Sequence, residues 1–199
     1  MGGATAAAAA TKPGRRILVA VDEGDESVQA LRWCLGTFAA ASRGDTVILL
    51  YVRPPPPAYS VLDASETDNP VAQAAVGYLF AEEVTAAIDR YSREVADAVV
   101  EKAQKLCTLY SKVLSQAAGT QDVDESDHEM KVEAKVAVGD ARAVICHMAD
   151  KLGADVLVMG SHGYGFFKRA LLGSVSDYCL RNANCPVLIK KIVSIAYTM

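Results

Sequence analysis

Four short stretches are almost purely apolar, a fifth alternates apolar with charged residues, and between them apolar residues recur every three to four positions. Ile17-Leu18-Val19-Ala20-Val21 comes first, a continuous run of the kind expected in a parallel strand buried on both faces. It stops at Asp22-Glu23-Gly24-Asp25-Glu26, an acidic turn. Val28, Leu31, Leu35 and Phe38 follow at helical spacing with Trp33 to one side, so a helix is expected to about Ala41. After a break at Ser42-Arg43-Gly44-Asp45, the run Thr46 to Val52 predicts a second buried strand. Strand, helix and strand in this rhythm make a βαβ unit with a right-handed crossover.

Pro54 to Pro57 stop regular structure, and the stretch up to about Gly77 reads as a long surface loop. From about Phe80 to Leu114 neither glycine nor proline occurs. There Val84, Ile88, Tyr91, Val95, Val99, Leu106, Leu109 and Val113 form one stripe, which predicts an amphipathic helix. Such length implies that one end projects or breaks. The region 115–129 is rich in acidic residues and reads as an insertion. In the third strand Val132, Ala134, Val136 and Val138 alternate with Lys131, Glu133 and Lys135, the signature of an edge strand with one wet face. Gly139-Asp140 turns into a helix whose inner stripe is Ala141, Val144, Ile145, Met148 and Leu152. Gly153 ends it, and Asp155 to Met159 is a fourth buried strand. A glycine-rich loop, a helix over about Ser174 to Asn182 and a last strand, Val187-Leu188-Ile189, complete the chain, with Pro186 at that strand's entrance. Alternating β and α elements mean an open, mostly parallel sheet covered by helices.

Composition narrows the function. The 199 residues suit one domain with tails; 51% are apolar and 22% charged, enough to bury a core. A net charge of −4 argues against a nucleic-acid binder, which needs a basic face. The five cysteines are odd in number, form no C-x-x-C pair and sit largely in apolar helical patterns, as reduced, buried thiols do. No apolar run reaches the roughly 18 residues of a membrane span. The alanine-rich start lacks the basic region of a signal peptide, so a cytoplasmic protein is expected.

In open parallel sheets, ligands bind beyond the carboxyl ends of the strands where the strand order reverses. The loop after the fourth strand therefore holds the candidate chemistry. Gly160 and Gly163 would allow backbone amides close to a ligand and tolerate positive φ. Gly173-Ser174 opens a helix whose free amides and positive dipole end suit an anion, and the Ser174 and Ser176 hydroxyls can add hydrogen bonds to phosphate. Neither a Walker A loop nor a G-x-G-x-x-G fingerprint fits, since no lysine precedes Ser174 and Lys168 stands where the last glycine would fall. A phosphate loop and a plain structural turn both remain open on this pattern.

The spacing Gly160-x-x-Gly163, nine residues, then Gly173-Ser174 resembles the signature of ATP-binding universal stress proteins. Ile17 to Asp22 is similar to their first strand with its terminal aspartate, Gly139-Asp140 to the exit of their third strand, and Cys185-Pro186-Val187-Leu188 to the entrance of their last. The resemblance covers residues 16 to 191, between tails at 1–15 and 192–199 and with loop insertions at about 54–78 and 115–129. It implies a Rossmann-like fold, shared with the adenine nucleotide alpha-hydrolases, of five parallel strands in the order 3-2-1-4-5. It also implies that Asp22 and the backbone of Ala20 and Val21 lie against adenine and that Val52 packs on the base. Met159 and Gly160 would border base and ribose, while Gly163, Gly173, Ser174, Val175 and Ser176 would surround the phosphates. ATP or AMP is the implied ligand, with Mg²⁺ accompanying a triphosphate. Homodimerisation through Val187, Leu188 and Ile189 is the implied assembly, and a stress-responsive regulatory module the implied role. The alternatives are a slow ATPase or phosphotransferase on the same site, and a nucleotide-free dimeric interaction protein.

Asp22 also reads as an acid relieving a helix dipole. Tyr51 stands where the family often has histidine, a change expected to alter packing more than binding. His162 reads mainly as a surface-loop histidine, Lys168 and Arg169 read equally as phosphate contacts or a solvated basic pair, His128 reads as solvated in the acidic insertion, and His147 lacks metal-ligand spacing. Neither a catalytic residue nor a metal site within the protein is expected.

Overall fold

Successive residues of a strand point to opposite faces of its sheet, and the central strands carry unbroken apolar runs, Ile17–Ala20, Val47–Val52 and Val156–Met159. The computed structural model describes residues 14–39, 44–55, 70–117, 131–161 and 172–191. The strands β1 (Arg16–Ala20), β2 (Thr46–Arg53), β3 (Lys131–Val138), β4 (Val156–Gly160) and β5 (Val187–Lys190) are all parallel, in the order β3-β2-β1-β4-β5. The helices are α1 (Asp25–Cys34), extended by a π-helical turn at Leu35–Ala39, α2 (Pro70–Ala117), α3 (Ala141–Lys151) and α4 (Ser174–Asn182).

The sheet separates two cores. Ile17, Val19, Val47, Leu49 and Val158 pack under α1 and α2 against Leu31, Cys34, Leu35 and Cys107. Leu18, Ile48, Leu50, Leu157 and Met159 pack under α3 and α4 against Ile145, Ala149 and Cys179. Burying one such aliphatic side chain contributes about 1.5–3 kcal/mol, and β1, β2 and β4 each bury side chains on both faces of the sheet. The lower end of β1 is pinned by Asp45, 3% exposed, which accepts hydrogen bonds from the Arg15 amide at 2.8 Å and its guanidinium at 2.7 and 3.1 Å.

Two expectations change, and one is met on one of its two alternatives. Helix α2 begins at Pro70, where residues up to about Gly77 had read as loop, and runs 48 residues to Ala117. Proline suits a first helical turn, and the good helix formers around Gly77 outweigh its cost of about 1 kcal/mol. Part of the loop insertions at about 54–78 and 115–129 is thus helical, while 56–69 and 118–130 lie outside the described residues. Second, α2 is unbroken, about 70 Å long at 1.5 Å per residue. An ion-paired triad of Arg53, Asp89 and Arg93 ties it to the end of β2, so the turns before Asp89 project beyond the sheet. Third, Val136 and Val138 on the edge strand are 47% and 45% exposed. On that face only Val132 of β3 packs into the α1/α2 core, because α2 lies mainly over β2.

Candidate functional site

The order reverses between β1 and β4: the chain steps outward from β1 to β2 and β3, then returns beside β1 for β4 and β5. The crevice above this switch point gathers most of the expected residues. Ala20 closes β1 and Val52 lies near the end of β2, both packing on the α3/α4 core beside buried Met159. Val21, 6% exposed, turns its side chain into the opposite core, and its amide donates to the Leu50 carbonyl at 2.9 Å. It can offer a ligand only its carbonyl.

Asp22 shapes its own turn. Its Oδ1 accepts from the Gly24 amide at 3.0 Å, while its amide donates to the Ser27 hydroxyl at 3.1 Å. Tyr51 closes the other side of this turn by donating to the Glu23 carboxylate at 2.6 Å. Burial, and then that carboxylate, push the Tyr51 hydroxyl well above the usual tyrosine range. Tyr51 therefore does more than fill space: it holds the acidic turn down.

Gly160 has a reason different from the expected one. Its φ is not positive, and a Cβ there would meet the Glu26 backbone and side chain at 3.0 Å and the Ser27 amide at 3.1 Å. The glycine lets the first turn of α1 lie against the end of β4. Ser161, fully buried, then joins four elements. Its hydroxyl donates to Glu26 at 2.5 Å, its amide to the Lys190 carbonyl at 3.1 Å, and its carbonyl accepts from the Gly173 amide at 2.7 Å and the Ser176 hydroxyl at 2.9 Å.

At the start of α4 this network decides what is on offer. The Gly173 amide and the Ser176 hydroxyl, both expected to face phosphate, donate instead to the Ser161 carbonyl, and Ser176 is 2% exposed. Asp177 makes the first i→i−4 bond, to the Gly173 carbonyl at 2.9 Å. The amides of Ser174, Val175 and Ser176 precede it and so have no partner within the helix. Ser174 is exposed and no side chain caps this end. Gly163, with His162, Lys168 and Arg169, lies outside the described residues.

Sequence reasoning missed Glu23, Glu26, Ser27 and Ser161. Only Ser27, three residues after Gly24 at a helix start, carried a local signal. All five cysteines are free thiols. Burial pushes Cys34 and Cys179 up to about 12 and Cys107 to about 11, which keeps them protonated. His147 is exposed on α3.

A model of the universal stress protein family matches residues 14–191. The chain belongs to that family. The universal stress proteins PHOS34 and PHOS32 of Arabidopsis thaliana are each 31% identical to it over 88% of its length. It covers only 61% and 64% of theirs, so it spans less than two thirds of these relatives. A solved universal stress protein family structure from Arabidopsis thaliana with AMP bound superposes with a TM-score of 0.54 at 19% identity, covering 90% of this chain and 93% of that one. A universal stress protein in complex with cAMP gives 0.53 at 20% identity over 92% of this chain and 100% of that one. Both show that this universal stress protein domain shares their α/β fold, with β3-β2-β1-β4-β5 order as the resemblance implied. Among the described residues no helix is long and apolar enough to cross a membrane.

Proposed function

We propose that this domain binds an adenine nucleotide, AMP or ATP, above the β1/β4 switch point and acts as a stress-responsive regulatory module in the cytoplasm. One observation carries the reading. The amides of Ser174, Val175 and Ser176, which have no partner within the helix, open α4 at the carboxyl end of β4, where ligands of such sheets bind.

The phosphate end is held by these amides, by the α4 dipole and by the Ser174 hydroxyl. Gly173 and Ser176 act indirectly, by tying α4 to Ser161, and Gly163 contributes from the glycine loop. Val52, Ala20 and Met159 form an apolar wall for the base. The carbonyl of Val21 and the second carboxylate oxygen of Asp22 accept from the adenine amino group. Gly160 brings this wall against α1. With ATP, Mg²⁺ would ride on the phosphates. The AMP and cAMP complexes of the two fold relatives support the choice of an adenylate.

Calorimetric titration with AMP, ATP and GTP is the test. We expect binding of the adenylates and weaker binding of GTP. No heat with either adenylate at millimolar concentration overturns the reading.

We further propose that two copies pair through Val187, Leu188 and Ile189. β5 is an edge strand among the described residues, its four residues are all half-buried, and a strand of a second copy could extend the sheet there. Light scattering should give twice the chain mass, and a monomer at tens of micromolar would sink the pairing.

A further inference from the structure

A second concavity lies on the α1/α2 face of the sheet, a groove of about 390 Å³ between the two helices. Val28 and Leu31 of α1 and Val99, Leu106 and Leu109 of α2 line it. Leu109 is 61% exposed at its edge. The apolar stripe of α2 therefore exceeds what the domain's own core uses, and part of the surplus borders a cavity. Ligand sites are commonly concave, mostly apolar and supplied with a few placed polar groups.

Those groups are charged. Arg32, Lys102 and Lys105 border the groove, with Glu101 and Asp22 as its acids. Lys105 is committed to Glu101 at 2.5 Å. Asp22 directs one carboxylate oxygen to the Gly24 amide. Arg32 and Lys102 form no ion pair among the described residues. The groove thus offers an apolar floor and two cations at its rim.

We propose that the groove binds a free long-chain carboxylate, with its tail between α1 and α2 and its head on Arg32 and Lys102. A groove of about 390 Å³ lined largely by aliphatic side chains has room for an alkyl tail and not merely for a small ion. A neutral amphiphile would fill the same floor but leave both cations unmatched. A cation would be repelled. The groove lies apart from the α4 amides, and Val21 and Asp22 are the residues it shares with the proposed adenine site.

The test titrates the full chain with dodecanoate and, in parallel, with dodecanol, both below aggregation. Dodecanoate should bind about tenfold more tightly, through its charge-assisted contacts. In the Arg32→Gln/Lys102→Gln variant that advantage should vanish while dodecanol affinity stays. Both side chains are exposed, so this variant folds. A Val28→Trp variant, folded by circular dichroism, should lose both ligands. Equal binding of acid and alcohol overturns the proposal, as does an unchanged ratio in the double variant. Binding only to anionic vesicles, or no binding by the folded chain, does the same.

Discussion

A methyl group added at Gly160 would press on the Glu26 backbone at 3.0 Å and the Ser27 amide at 3.1 Å. Most of what it meets is main chain, which cannot rotate away. Gly160→Ala should therefore cost about 1–3 kcal/mol, read as a lower denaturant midpoint with an unchanged slope. An unaltered midpoint would mean that α1 can retreat from β4. The sequence marks the residue but not its reason: glycine after a buried strand suggests a ligand, whereas the neighbour that requires it sits in α1. The Ser161–Glu26 bond likewise joins positions 135 apart, beyond any local pattern. Asp22 was ambiguous between adenine and a helix dipole. The structure adds a third task, since its bond to the Gly24 amide shapes the turn.

Helix boundaries show which signals are local. Asp140 was read as a turn before α3, and it is the N-cap, accepting from the Arg142 amide at 2.9 Å. The Arg142 guanidinium and that amide hold its carboxyl below the usual aspartate range. A carboxyl whose folded pKa is depressed stabilises the fold above its unfolded value, about 3.9, and loses that contribution as the pH falls through the folded value. Asp140→Ala should thus lower Tm at pH 7, and the gap to wild type should close below about pH 4 in melts followed by circular dichroism. A gap that persists at pH 2 would assign the effect to something other than the charged cap. The start of α2 was less legible. Pro54 to Pro57 and Gly77 are strong punctuators, yet what lies between Pro70 and Gly77 is mostly alanine and valine, and helices extend through an isolated glycine.

For the molecule as a whole, continuous aliphatic runs identified β1, β2 and β4 as interior, and alternation identified β3 as an edge. β5 has the same aliphatic run as an interior strand, but its four residues are too few for a period to show. Its edge position followed from family resemblance alone. The switch point then located the crevice, because it depends only on strand order. One arrangement has a further outcome for synthesis. Of the five strands the middle one, β1, is made first, gains β2 soon after, and waits for β4 until β3 and three of the helices have been made; the Arg16 amide is bonded to Asp155, 139 positions later. Until then a nascent β3-β2-β1 half would carry Ile17, Leu18 and Val19 on an open flank, a sticky template for neighbouring chains. Folding of this domain in the cell should accordingly lean on chaperones in the interval between the synthesis of β2 and that of β4.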